Sequence, residues 1–263
     1  MSIKVSANKW PFRDFLTASW LMILFLGAAW AIAGEERDSS SSVMIFDSGT
    51  QQVNLLELYS SQGCSSCPPA EQWISLLKSD KRLWEEFIPL VFHVDYWDYL
   101  GWKDPYASLR HSQRQRMYQL HGHTKAVYTP GFILSGKEWT DWFRTRSLPE
   151  FPKEIAGQLT VKVSGDELQA KFIRDKDNRG LVLNVALLGF GIVTDVGQGE
   201  NKGMRLPQDF VVLEYKSFNS NSGMWNIPMP ETDFHGKSAA VFWVSQGSDP
   251  APLQATGGWL PVD

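Results

Sequence analysis

Cys64 and Cys67 are the only cysteines among the 263 residues of this chain, and just two residues separate them. An apolar run of strand length, residues 53–59, precedes the pair, and apolar side chains recur at helical spacing from Pro68 onward. A thiol at the start of a helix faces unpaired backbone N–H groups, which favour the reactive thiolate. The pattern therefore predicts a redox pair in which Cys64 is the exposed nucleophile and Cys67 resolves the mixed disulfide.

Two other roles for the pair stay open. A disulfide here closes a loop of only about four residues, which contributes roughly 2 kcal/mol in the chain-entropy model. An inert disulfide in a non-catalytic, partner-binding protein is one alternative. The other is a metal chaperone, in which Cys64 and Cys67 join His93 and Asp95 as ligands. Thiol exchange itself requires no dissociable cofactor, and the sequence contains no nucleotide-binding fingerprint.

The amino terminus has the composition of a targeting segment. Three basic residues precede the almost continuously apolar residues 15–33, which end in an A-x-A motif at Ala33. Residues 1–33 are therefore predicted to be a cleaved signal peptide or, alternatively, an uncleaved membrane anchor. Both predict a periplasmic or secreted protein that touches a membrane only through such an anchor. The formal charge of −4 offers no basic surface for a nucleic acid, so a protein thiol or disulfide is the expected partner.

The rest of the chain divides into three segments by composition and pattern. Residues 34–50 are Ser-rich and are predicted to be a linker. Residues 51–157 alternate between strand and helix patterns, which predicts an α/β domain. Its second helix is expected to begin at Pro105, with Asp104 as the capping residue. Residues 158–263 show short apolar or alternating runs without a long helical period, which predicts a separate β-sandwich-like domain.

Several segments resemble a bacterial family catalogued as domain of unknown function 1223. They are LLELYSSQGCSSCPPAE, FHVDYWDYLGWKDPYAS, VYTPGFILSGK and GENKG. The resemblance implies an exported protein with a thioredoxin-like fold, and it leaves the activity open. The expected fold class is thus an α/β thioredoxin-like domain followed by a β-sandwich-like C-terminal domain.

The resemblance also implies a substrate groove beside the cysteines. Pro130 stands where thioredoxin-like proteins carry a cis-proline, and Tyr128, Thr129 and Pro130 would shape a groove for an extended substrate. An ordinary turn proline is the alternative. Trp97 and Trp102 would form one side of this groove, or pack their own loop onto the domain.

Glu57 is similar in position to the buried acid that thioredoxins place near the resolving cysteine. It would then accept a proton from Cys67, or else be a strand carboxylate satisfied by hydrogen bonds. The chain departs from thioredoxins at Pro68 and Pro69, because proline disfavours helical geometry in the residue before it. Cys67 is therefore expected to cap the helix rather than lie inside its first turn.

Overall fold

Strands make up most of the regular structure in the computed structural model, which describes residues 43–261. The predicted signal peptide or anchor, residues 1–33, lies outside that range. No helix within the range is long and apolar enough to cross a lipid bilayer. The strands are β1 (Met44–Asp47), β2 (Asn54–Ser60), β3 (Phe87–His93), β4 (Gly131–Leu134), β5 (Lys137–Glu138), β6 (Gln158–Ser164), β7 (Glu167–Ile173), β8 (Leu181–Gly189), β9 (Ile192–Asp195), β10 (Arg205–Gln208), β11 (Val211–Ser220), β12 (Met224–Pro228), β13 (Ser238–Gln246) and β14 (Asp249–Trp259). The helices are α1 (Pro68–Leu76), α2 (Leu109–Leu120) and α3 (Trp142–Thr145), with short 3₁₀ helices at Leu77–Ser79 and Asp95–Leu100.

Eight of these strands form one mixed sheet in the order β14-β13-β8-β11-β3-β2-β4-β5. β2 and β3 run parallel, and β4 pairs antiparallel with β2. β11 runs parallel to β3 beside Val91, whose backbone N–H donates to the carbonyl of Phe210 at 2.9 Å. Antiparallel pairing then adds β8, β13 and β14. The junction between β3 and β11 makes the two halves of the chain one sheet.

The predicted fold class, an α/β thioredoxin-like domain followed by a β-sandwich-like C-terminal domain, is wrong. Strands outweigh the three helices, which contain 9, 12 and 4 residues, and the main sheet includes strands from both sides of the expected boundary at residues 157 and 158. The error arose because β8 and β13 are apolar along almost their whole length. A sandwich strand and a strand buried inside a covered mixed sheet share that pattern.

A second, antiparallel sheet with the order β1-β6-β7-β12 packs against one face of the mixed sheet. Its first strand, Met44–Asp47, falls inside residues 34–50, which were expected to be a linker. On β8, Leu183 belongs to the core shared with this second sheet, whereas Leu188 belongs to the core on the opposite face. Both faces of β8 are therefore buried, which explains why its sequence does not alternate.

The two longer helices lie on opposite faces of β2. The hydroxyl of Ser60 on β2 donates to the carboxylate of Glu71 on α1, whereas the ring of Tyr59 packs against Tyr118 of α2. Neighbouring residues of a strand point to opposite faces of the sheet. These two contacts thus place α1 and α2 on opposite sides of the sheet.

Helix α2 begins at Leu109, later than the sequence predicted. Its N-cap is Ser108, whose hydroxyl accepts a hydrogen bond from the backbone N–H of Arg110 at 3.2 Å. The expected cap, Asp104, instead accepts from the backbone N–H of Gln62 and pairs with His93. The other oxygen of Asp104 accepts from the backbone N–H of Tyr106 at 3.0 Å, and this bond closes a turn that ends before α2 begins.

Gln254 on β14 connects three distant parts of the chain. Its side-chain oxygen accepts from the backbone N–H of Val53 at 2.9 Å. Its side-chain nitrogen donates to the carbonyl of Gln51 at 2.9 Å and to that of Gly157 at 2.7 Å. Gln254 is 0% exposed, so this buried amide satisfies its hydrogen-bonding groups by joining the start of β2, the start of β6 and the edge strand β14.

Candidate functional site

The cysteine pair lies at the turn between β2 and α1, as the sequence predicted. Cys64 and Cys67 form a disulfide bond, with their Cα atoms 5.5 Å apart. Cys67 is the N-cap residue of α1, and its carbonyl accepts hydrogen bonds from the N–H groups of Ala70 and Glu71. The expectation that Cys67 caps the helix is confirmed. Residues 61–67 are called the cysteine turn below.

Both cysteines are buried. Cys64 is 1% exposed and Cys67 is 0% exposed, although Ser65 and Ser66 between them are exposed. The prediction that Cys64 is an exposed nucleophile is therefore wrong for this conformation. A partner thiol reaches the Cys64 sulfur only after the structure around the turn has moved.

The loop between β9 and β10, residues 196–204, covers the cysteine turn and is called the cover loop. The side-chain nitrogen of Asn201 donates to the carbonyl oxygens of Gln62 and Cys64, each at 2.9 Å. Asn201 itself is only 2% exposed. Asn201 lies in the segment GENKG that carries part of the family resemblance, but its role was not predicted, because a polar residue in a Gly-rich loop gives no indication of a contact that distant.

Glu200 and Trp102 add further contacts between the cover loop and the turn. The carboxylate of Glu200 accepts from the backbone N–H of Ser65 at 2.9 Å, and this bond, with a second from the Ser65 hydroxyl, holds the pKa of Glu200 below its usual value. The indole N–H of Trp102 donates to the side-chain oxygen of Gln62 at 3.0 Å. A Cβ at Gly197 would lie 3.2 Å from the Trp102 ring, so the loop backbone packs closely on this tryptophan.

Trp97 also borders the cysteine turn, and a hydrogen bond joins Trp97 to Thr129, the residue before Pro130. A Cβ atom at Gly63 would lie 3.1 Å from the Cβ of Trp97, and the Trp97 indole N–H donates to the Thr129 hydroxyl at 2.7 Å. The peptide bond between Thr129 and Pro130 is cis, as predicted. The hydroxyl of Tyr128 donates instead to the glutamate carboxylate of β5, at 2.8 Å. Trp97 thus contacts the turn, and Thr129 contacts Trp97.

Glu57 is not brought to the cysteine turn. It lies on the face of β2 that carries α2, where both its oxygens accept hydrogen bonds from the Arg114 guanidinium at 2.8 Å. The hydroxyls of Tyr59 and Tyr118 also donate to this carboxylate. Cys67 begins α1, on the opposite face of the sheet. The structure therefore favours the alternative in which Glu57 is a strand carboxylate satisfied by hydrogen bonds.

A buried charged network adjoins the turn. Nδ1 of His93 lies 2.6 Å from the carboxylate of Asp104, and Nε2 lies 3.8 Å from that of Glu71. Burial alone would lower the pKa of His93, but the neighbouring carboxylate of Asp104, assisted by Glu71, raises it to about 9. Burial would likewise raise the pKa of Asp104, yet the charge of His93 holds it below its usual value. The two carboxylates thus favour the protonated form of His93, whose Nε2 also lies 3.3 Å from the side-chain nitrogen of Gln208.

Gln62 connects this network to the cysteine turn. Its backbone N–H donates to Asp104 at 2.8 Å, and its side-chain nitrogen donates to Gln208 of β10 at 2.7 Å. Gln208 in turn donates to Glu71 at 2.5 Å. Glu71 follows Cys67 by four residues, which is about one helical turn. That spacing is the feature of the sequence that could have predicted Glu71 near the cysteines.

The model of the family described as "Protein of unknown function (DUF1223)" matches residues 55–245, which include both the cysteine turn and the cover loop. The chain belongs to the DUF1223 family. No curated protein matches it.

Two solved structures resemble this DUF1223 protein in fold. Protein AGR_C_4864 from Agrobacterium tumefaciens is 23% identical, with a TM-score of 0.53, and the match covers 81% of this chain and 96% of that one. HBP35 of Porphyromonas gingivalis is 13% identical, with a TM-score of 0.50 and coverage of 80% and 76%. At these identities the likeness extends to the fold alone.

The ligand set considered for a metal is not assembled in this DUF1223 protein. The sulfurs of Cys64 and Cys67 are bonded to each other, and His93 pairs with Asp104. The carboxylate of Asp95 accepts from the hydroxyl of a serine on α2. Across residues 43–261, no three His, Cys, Asp or Glu side chains are grouped so as to hold a metal ion.

Proposed function

We propose that this protein exchanges thiols and disulfides with a protein partner through Cys64 and Cys67, outside the cytoplasm. The observation that carries the proposal is that the only two cysteines form a disulfide across two intervening residues at the start of a helix. A loop this short contributes only about 2 kcal/mol to stability. A helix start, by contrast, stabilises a thiolate through its positive dipole end, even though Pro68 and Pro69 supply no N–H here. The placement of the pair thus favours reactivity over stabilisation.

With the protein as oxidant, the exchange has two steps. A partner thiolate attacks Sγ of Cys64, the S–S bond breaks, and Cys67 leaves as a thiolate that takes up a proton. A second partner thiolate attacks the partner sulfur of the mixed disulfide, and Cys64 leaves as a thiolate that is protonated in turn. Two electrons pass from the partner dithiol to the protein, no dissociable cofactor takes part, and the reverse sequence reduces a partner disulfide.

The residues that border the turn suit contact with an extended partner segment. Trp97 and Trp102 offer aromatic surface beside the turn, and Thr129 with Pro130 adds polar and apolar atoms next to Trp97. An oxidising compartment is where such a disulfide persists, and the apolar residues 15–33 support export to one.

Single cysteine variants of the mature chain test this function. With Cys67→Ser, the remaining Cys64 should form a mixed disulfide with partner proteins that persists, because no resolving thiol is present. Cys64→Ser is the matched control and should trap far less, since Cys67, the N-cap residue of α1, is assigned the resolving role. Equal trapping by the two variants, or none by either, would contradict the assigned roles.

The burial of both sulfurs favours a second candidate function, that of a non-catalytic binding protein with an inert disulfide. Structural disulfides typically have reduction potentials below about −300 mV. Equilibration of the oxidised chain with glutathione redox buffers, followed by alkylation of free thiols, measures this potential. A value below that limit supports the inert disulfide, and a higher value supports exchange.

A further inference from the structure

We infer that the cover loop is a gate over the Cys64–Cys67 disulfide and that Asn201 is the residue that holds it closed, a role that rests on the thiol exchange proposed above. Attack on a disulfide requires the incoming sulfur to approach the S–S bond directly. In the structure, Cys64 is 1% exposed. The cover loop binds the backbone carbonyls of Gln62 and Cys64 through Asn201. Exchange therefore requires the cover loop to lift.

The hairpin that carries the cover loop is not part of the main sheet, and Thr194 and Gln208 at its base hold it to Gln62. β9 and β10 have four residues each and pair only with one another, so no ladder joins them to the eight-stranded sheet. Isolated two-stranded sheets are only marginally stable. Most of the loop is exposed, with Asn201 and Val196 as its buried members. The attachment of the loop to the turn is thus concentrated in a few contacts.

Asn201 is matched to its two acceptors. A side-chain amide nitrogen carries two N–H donors, and Asn201 uses them on the carbonyls of Gln62 and Cys64. These carbonyls are buried beneath the loop. Among the described residues, no other side-chain donor bonds to either of them. An aspartate at this position would have no N–H donor and would place a negative charge against two carbonyl oxygens.

Opening the gate frees the groups that a partner would use. Two carbonyl oxygens, those of Gln62 and Cys64, and the N–H of Ser65 become available when Asn201 and Glu200 withdraw. Extended polypeptide segments bind through such backbone acceptors and donors. The gate therefore exchanges contacts within the chain for contacts with an extended, cysteine-containing segment of another protein.

The test measures how fast the oxidised full chain is reduced under native conditions. Dithiothreitol and reduced glutathione serve as probes, and alkylation of the released thiols follows the reaction by mass. Asn201→Ala should increase the rate about 30-fold, which corresponds to about 2 kcal/mol at 1.4 kcal/mol per tenfold. Asn201→Asp should increase it at least as much. Asn226→Ala, an exposed asparagine of β12 in the other sheet, is the matched control and should react at the wild-type rate.

Two outcomes separate the gate from the function on which it rests. If the wild-type disulfide is reduced in the native state and Asn201→Ala reacts at the same rate, the gate is wrong and thiol exchange stands. If neither chain is reduced unless urea is added, thiol exchange itself fails. Should Asn201→Ala not fold, Glu200→Ala removes the acceptor of the Ser65 N–H at an exposed position, and a several-fold rise in rate is expected from it. An unchanged rate in that variant would overturn the gate.

Discussion

The stability of the oxidised protein should fall by about 2 kcal/mol between pH 7 and pH 9 because of His93. The pKa of this side chain is about 9 in the folded protein and about 6.5 in an unfolded chain. A raised pKa means that the folded state binds the proton more tightly, so the stabilisation is complete below pH 6.5 and is lost as the pH rises through 9. At 1.36 kcal/mol per pKa unit the full effect is about 3 kcal/mol, and about two thirds of it disappears over the stated interval.

The assay is urea-induced unfolding, followed by tryptophan fluorescence at several pH values, and His93→Gln is the control. That variant should be less stable at pH 7 and nearly independent of pH from 7 to 9. His111 does not interfere, because burial lowers its pKa to about 4, and a lowered histidine pKa costs stability only as the pH falls below 6.5. Equal slopes for the wild type and His93→Gln would refute a charged, buried His93.

Three substitutions test other contacts by their effect on the free energy of unfolding. Arg114→Met leaves the Glu57 carboxylate buried without its cation and should cost roughly 3–5 kcal/mol of unfolding free energy. Urea unfolding should show that much of this loss is recovered when Glu57→Leu is added. No recovery would mean that the ion pair is not the cause. Ser108→Ala removes the cap of α2 and should cost about 1 kcal/mol in thermal unfolding, so an unchanged Tm would count against that cap. Gly131→Ala would bring a Cβ within 2.7 Å of the Tyr128 carbonyl and should cost about 1–3 kcal/mol by the same measurement, whereas a neutral effect would show that the backbone there shifts freely.

Local pattern was sufficient to predict the elements next to the cysteines. The apolar residues 53–59 correspond to β2 with a shift of one residue, and α1 begins at Pro68 as expected. Both features depend on residues close together in the chain, where hydrophobic spacing carries most of the information. The cis peptide bond before Pro130 is also as predicted, but that prediction rested on the resemblance to thioredoxin-like proteins.

Contacts between distant segments could not be predicted in the same way. Asn201 binds the carbonyl of Cys64 across 137 residues, and although its segment GENKG carries part of the family resemblance, the motif does not reveal which distant residues it contacts. The carboxylate next to the cysteine turn is that of Glu71, and not that of Glu57, because of which face of β2 each helix covers. The pairing of β11 with β3 decides the fold class, yet the apolar pattern of each strand is compatible with several neighbours.

The amide of Gln254 has a consequence for how the chain acquires its fold. It bonds to the backbone of Val53 across 201 residues, so the N–H that precedes β2 lacks its native acceptor until almost the whole polypeptide is available. Contacts of such long sequence separation form slowly, because the entropy of closing long loops is lost before the contacts form. During synthesis β2 can therefore pair with β3 and β4, whereas the backbone groups of Gln51, Val53 and Gly157 wait for β14, whose arrival is the closing step of assembly.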